Sequence, residues 1–243
     1  MVAPAAVFVL LVYSYLTLPD VRPLKHTNPT TTAFIELRDR EAEARGQKPK
    51  TVMRWARYSQ ISGTLKRAVL VAEDAAFWQH EGVDVEQLQD SIQVDWKRAR
   101  FVRGASTITQ QLAKNLYLSP SRNPLRKFRE LILARRMEAE LTKARILELY
   151  LNVIEWGDGI YGAEAASRTY FHVSAAELDP QQAALLAASI INPRLLNPAH
   201  PTARLIRRQQ LILRRMGVVE APSDQLDAPE TVRYSHQARF RHN

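Results

Sequence analysis

The chain has 243 residues, 46% of them hydrophobic and 24% charged, enough to bury one sizeable core or two small ones and unlike a disordered segment. Lys and Arg total 34 against 25 Asp and Glu, a formal net charge of +9, which points to a polyanionic neighbour: nucleic acid, an anionic membrane or a phosphorylated substrate. With no Cys, disulfides and thiolate chemistry are excluded.

Val2–Leu18 runs 17 residues without a charge. As a helix it would span roughly 26 Å, near the thickness of a bilayer core. No Lys or Arg precedes it and no small-x-small cleavage site follows, so a transmembrane anchor fits better than a signal peptide. The polar, Pro-bearing stretch after it also speaks against a buried core helix. Residues 19–50 read as a linker holding a short charged helix over Ala33–Ala44.

From Thr51 the signals are helical. Leu65–Phe77 carries Ala and Val at helical spacing and runs towards Gly82. Val85–Phe101 is amphipathic and highly charged. Thr107 and Gln110 match a Thr-x-x-Gln capping box opening a helix over Thr107–Leu118. Leu125–Leu151 forms the longest periodic run, with a basic side, closed by Gly157 and Gly159. Glu177–Ile191 reads as a buried helix ended by Asn192-Pro193, and Leu205–Met216 as a last basic helix stopped by Gly217. Alternating strand patterns are scarce. The organisation expected is a 1–18 anchor, a 19–50 juxtamembrane segment, a helical domain over 51–217 and a polar 218–243 tail.

Three clusters put polar groups into apolar helical context. In the first, Glu73 and Asp74 follow the apolar Ala68–Ala72 and precede His80, Gly82 and Asp84. A carboxylate partly withdrawn from water binds its proton more tightly, which suits a general base acting on a sugar hydroxyl. Read alone, the pair is more often a solvated helix end. In the second, Ser106 and Thr107 open a helix on which Gln110 and Lys114 share one face and Gln111 and Asn115 another. Arg122, Arg126, Lys127 and Glu130 follow. Cations beside an acid suit the grip and release of a pyrophosphate, although a surface salt-bridge ladder is the plainer alternative. The third, Lys143–Asn152 with Gly157 to Gly162, reads by itself as structural.

Together these clusters resemble the glycosyltransferase domain of the class A penicillin-binding proteins, most closely the monofunctional peptidoglycan transglycosylases. The resemblance runs from about Lys66 to Pro198, with five motifs in the family's order. Its most specific stretch is Gly104-x-Ser106-Thr107-Ile108-Thr109-Gln110-Gln111-Leu112-x-Lys114-Asn115. Glu73-Asp74-x-x-Phe77-x-x-His80-x-Gly82-x-Asp84, Arg126-Lys127-x-x-Glu130, Ile146-Leu147-Glu148-x-Tyr150-Leu151-Asn152 and the stretch from Tyr161-Gly162 to Ala187 supply the rest. One departure is Gln182, which stands where an acid is expected and should affect stability more than chemistry.

The resemblance implies an all-α, lysozyme-like bilobal domain behind an N-terminal transmembrane helix, on the outer side of the bacterial cytoplasmic membrane. The substrates it implies are lipid II and the growing glycan strand. Glu73 would be the general base, and Glu130 a second essential acid. Lys114 and Arg122 would hold the donor pyrophosphate, with Arg126 and Lys127 in support and Ser106, Gln110, Gln111 and Asn115 orienting substrate. A divalent cation, Mg²⁺ or Mn²⁺, would ride with the pyrophosphate; no metal-ligand set is expected in the chain itself, and His80 should be structural. Wall-synthesis or division proteins are possible partners; a nucleic acid is not, for want of any recognition motif. No Ser-x-x-Lys or Lys-Thr-Gly occurs, so glycan polymerisation without peptide cross-linking is expected. The rivals are a lysozyme-like muramidase and a non-catalytic scaffold of wall synthesis.

Overall fold

The computed structural model describes residues 2–83, 106–120 and 123–218. The helix expected at Val85–Phe101, Arg122 and nearly all of the polar tail lie outside the described residues. The order is α1 (Val2–Leu16), a 3-10 turn (Arg22–Lys25), α2 (Ala33–Ala44), β1 (Val52–Met53), α3 (Gly63–Glu73), α4 (Ile108–Tyr117), α5 (Pro124–Glu140), α6 (Lys143–Val153), β2 (Glu155–Gly157), β3 (Ile160–Tyr161), α7 (Ala163–Phe171), α8 (Pro180–Ser189) and α9 (Ala203–Arg215).

Side-chain caps set most of the helix starts. Thr32, Ser62, Thr107, Asn123, Thr142, Asp179 and Thr202 each accept a hydrogen bond from a backbone N–H of the first turn, groups that the helix itself leaves unpaired. Cap chemistry also corrects the long periodic run at Leu125–Leu151, which is two helices. Leu141 is extended at φ −116°, ψ 150°, and Thr142 restarts the chain by accepting from the Arg145 N–H. At Gln182, the side chain accepts from the Asp179 N–H while Asp179 accepts from the Gln182 N–H. The amide that replaces the expected acid thus completes a capping box, a local stability role.

The helices pack in two groups. In one, α8 lies between α3 and α9; in the other, α4 lies against α5 and α6, with α1 on α5 and α2 on α4. The core they share includes the fully buried Phe77, Leu112, Leu133, Tyr150 and Trp156.

A three-stranded sheet, ordered β1-β3-β2, was not expected from the sequence. β1 pairs parallel with β3 (Val52 with Ile160), and β2 pairs antiparallel with β3 (Glu155 with Tyr161). Gly159 makes the join possible. Its φ is +73°, and a Cβ there would sit 1.7 Å from the Lys50 carbonyl oxygen.

The apolar N-terminal run is helical, as read, over 15 residues, and its large side chains Phe8, Val9, Tyr13 and Leu16 are exposed. Among the described residues no helix is long and apolar enough to cross a membrane.

Candidate active site

Helix α3 ends at Glu73, and Asp74 leaves the helix at φ −163°. The two acids therefore sit on a helix end and the turn after it, and they part company. Asp74 is buried; its Oδ2 accepts from the Ile108 N–H, the first of α4, at 2.9 Å. A carboxylate at a helix N-terminus is favoured by the dipole and the free N–H groups there. His80 Nε2 lies 2.9 Å from Asp74 Oδ1, and His80 Nδ1 accepts from the Gly82 N–H. Asp74 and His80 thus fold residues 74–82 back onto α4, which is a structural task.

Glu73 meets a different set of partners. Its Oε2 accepts from Gln111 Nε2 at 3.1 Å and its Oε1 from Arg208 Nη2 at 3.2 Å. Burial raises the Glu73 carboxyl above its ordinary value, opposed by the Gln111 hydrogen bond and then by the charges of Arg208 and Lys114. A carboxylate so placed holds a proton more firmly than a surface carboxylate while its ionised form is still supported. Gln111 is itself oriented: the buried Tyr150 hydroxyl donates to Gln111 Oε1 at 2.9 Å, which turns the Gln111 NH₂ towards Glu73. Arg208, from α9, is the contact that sequence reasoning missed. It lies 135 residues from Glu73 and shows in the sequence only as one arginine among several on a basic helix.

The opening of α4 is organised differently from the sequence expectation. Thr107 caps the Gln110 N–H, but the Gln110 side chain does not return the bond. Its NH₂ donates to the Gly82 carbonyl at 3.2 Å, beside the 2.7 Å bond from the Thr107 hydroxyl, and its Oε1 accepts from Lys127 at 3.0 Å. Gln110 therefore joins the 74–82 loop to α5. Lys127 also donates to Glu130 Oε1 at 2.5 Å and reaches Ser106 Oγ at 3.5 Å, while Arg126 holds the other Glu130 oxygen. Both oxygens of the buried Glu130 are thus occupied by cations from its own helix. Asn115 is buried, and its NH₂ donates to the Gln111 carbonyl.

Lys114 stands between these groups. Glu130 and Glu73 both act on it electrostatically, as do Arg126 and Lys127, yet it forms no ion pair among the described residues. Its ammonium lies 5.7 Å from the centre of the Phe34 ring on α2. Burial lowers the Lys114 ammonium below its ordinary value, with Glu130 as the main opposing charge. A withdrawn cation of this kind is suited to an arriving anion.

The third cluster is structural, as read. Asn152, fully buried, accepts from the Ala56 N–H and donates to the Ala56 carbonyl, and Glu148 accepts from the Tyr58 N–H. Among the described residues no group of three His, Cys, Asp or Glu could hold a metal ion.

Comparison with known proteins identifies the family. A family model described as Transglycosylase matches residues 41–217. The chain is 46% identical over 219 residues to the "Biosynthetic peptidoglycan transglycosylase" of Thiobacillus denitrificans, covering 90% of this chain and 94% of the relative. The protein of the same name from Laribacter hongkongensis is 45% identical, with 82% and 87% covered. That from Nitrosospira multiformis is 40% identical, with 88% and 93% covered.

Proposed function

The chain belongs to the transglycosylase family, and from that premise we propose how Glu73 and the cations around Lys114 polymerise lipid II into glycan strands. The protein is a peptidoglycan glycosyltransferase. The observation that carries the mechanism is the pairing of a half-buried Glu73, whose proton affinity burial raises, with a half-buried Lys114 that forms no ion pair among the described residues, beside the Arg126–Lys127–Glu130 cluster. The first is a base for a hydroxyl; the second is a cradle for a leaving anion.

In this reading Glu73 takes the proton from the 4-hydroxyl of the incoming lipid II. That oxygen attacks the anomeric carbon at the lipid-linked end of the strand from the face opposite the pyrophosphate. The C–O bond to pyrophosphate breaks, the configuration inverts from α to β, and undecaprenyl pyrophosphate leaves with its charge held by Lys114, Arg122, Arg126 and Lys127. Gln111 and Arg208 keep Glu73 aimed and support its ionised form. Ser106, Gln110 and Asn115 act through the positions of Lys127, the Gly82 loop and Gln111, because their polar groups already bond within the protein. Glu130 spaces and orients its two cations. A positioned base is worth roughly 10²- to 10⁴-fold in rate.

We propose that any divalent cation is carried by the substrate pyrophosphate. Glu130 is saturated by Arg126 and Lys127, so the described residues do not fit a protein-held ion, and no step above runs through one. The two helical groups suit the bilobal, lysozyme-like arrangement, with the chemistry between them. The apolar, exposed faces of α1 favour membrane attachment, with the catalytic domain on the outer side of the cytoplasmic membrane. Arg129 and Arg136 donate to the Thr17 and Tyr15 carbonyls at its end, which would tie such an anchor to α5.

The test is to give the detergent-solubilised protein lipid II in one assay and preformed glycan in another. Long glycan with release of undecaprenyl pyrophosphate supports the reading. Shortening of the preformed glycan with lipid II untouched would replace it with a muramidase.

A further inference from the structure

Away from Glu73, a cavity of about 470 Å³ opens between α2 and the small sheet. This is the size of a small-molecule site. Glu155 and Tyr161 line it, and both are more than nine-tenths buried. Arg38 holds Glu155 Oε2 at 3.2 Å, but Glu155 Oε1 and the Tyr161 hydroxyl have no hydrogen-bond partner among the described residues. Buried oxygens of this kind are rare and costly unless something supplies the missing bonds. Burial also raises the Glu155 carboxyl above its ordinary value, opposed by Arg38 and then by the Arg194 charge and the Gly159 N–H. The rim carries Arg45, Lys48 and Lys50, all exposed and none in an ion pair among the described residues. Arg194, by contrast, is paired with Asp158 at 3.1 Å.

The missing partner must carry negative charge for the rim and N–H or O–H donors for the floor. A phosphate diester has no donor for Glu155, and a neutral sugar has no charge for three cations. A peptide with free carboxylates has both. The cavity is also near the reacting groups, because Phe34, beneath Lys114, and Arg38, in the cavity wall, are four residues apart on α2 and so share a face. A peptide attached to the sugar whose pyrophosphate rests at Lys114 leaves in reach of this opening.

We infer that the cavity binds the acidic peptide of the lipid-linked substrate, carboxylates on Arg45, Lys48 and Lys50 and N–H groups on Glu155 and Tyr161. The inference rests on the glycosyltransferase reading for its substrate. It makes the enzyme a reader of the peptide as well as of the sugar and the lipid. Trimmed or amidated substrates would then be used less well although the reacting sugar is unchanged.

The experiment compares two lipid-linked disaccharides, one with the full pentapeptide and one cut back to a single L-alanine. The full chain in detergent micelles is assayed as native protein, as Arg45→Gln/Lys48→Gln/Lys50→Gln and as Tyr161→Phe. The native protein should prefer the full-peptide substrate in kcat/KM by about tenfold, the scale of three exposed ion pairs. The triple variant should lose that preference and keep its rate on the trimmed substrate; Tyr161→Phe should lose part of it. Equal use of both substrates by the native protein, or a preference the triple variant retains, overturns the inference. A titration of soluble pentapeptide into the same proteins separates the two readings. If the native protein polymerises neither substrate, the glycosyltransferase reading fails, and peptide binding that the triple variant abolishes still upholds the cavity. No binding, or equal binding by both proteins, overturns it.

Discussion

Replacing Gln111 with Met tests how the base is tuned. The thioether keeps the length of the side chain, loses the NH₂ that donates to Glu73 at 3.1 Å, and offers the Tyr150 hydroxyl only a weak acceptor. A hydrogen bond to a charged group is worth about 1.5–3 kcal/mol, and one pKa unit corresponds to about 1.4 kcal/mol. Losing it raises the Glu73 carboxyl further. The sign follows from the role: a base works only when ionised, so a higher proton affinity removes activity from the acidic side. The acidic limb of kcat/KM against pH should move up by about one to two pH units, with activity recovering at alkaline pH. The stranded Tyr150 hydroxyl should lower unfolding stability by about 1–3 kcal/mol in urea. Tyr150→Phe, which leaves the amide on Glu73 but frees it to turn, should move the limb less. A stability loss with an unmoved limb would refute the reasoning, because Gln111 would then be packing and not tuning.

Other perturbations separate the base from its supports. Arg208→Ala removes the second contact on Glu73, so kcat/KM below the acidic limb should fall by about five- to tenfold, with Arg208→Lys recovering part of it. Asn152→Ala strands the Ala56 N–H and carbonyl in the core; urea unfolding should show a loss of about 2–5 kcal/mol, while kcat per folded molecule stays near the native value. Gly82→Ala puts a Cβ 2.9 Å from the Glu138 Cγ at φ +83°, on the loop whose carbonyl takes bonds from Thr107 and Gln110. Thermal melting should show about 1–3 kcal/mol of destabilisation, and polymerisation should fall with it.

The sequence reveals most where the signals are local. The α2 range follows from charge and spacing, and Thr107 is visible as a cap because a Thr before an apolar run has few other uses. The break between α5 and α6 is hidden because Leu141-Thr142 contains neither Gly nor Pro, and a Thr cap inside a helical period leaves the period intact. Strands of two or three residues are too short for an alternating pattern, so the sheet was missed. At the site, motif order brings Glu73, Gln111, Lys114, Lys127 and Glu130 together on paper. The sequence cannot say that Gln110 turns to Gly82 and Lys127, or that Arg208 arrives from the far end of the chain, because those choices are settled by tertiary packing. The same holds for the Glu155 and Tyr161 oxygens that lack a partner among the described residues.

The central claim is that Glu73 is the base, and lipid II polymerisation by the native protein against Glu73→Gln tests it most directly. The amide is nearly isosteric and can still accept from Gln111, so circular dichroism and melting should confirm a folded protein. The account predicts long glycan from the native chain and a loss of at least about 10²-fold in the variant at every pH. A folded Glu73→Gln protein that still makes glycan at near-native rate would contradict it.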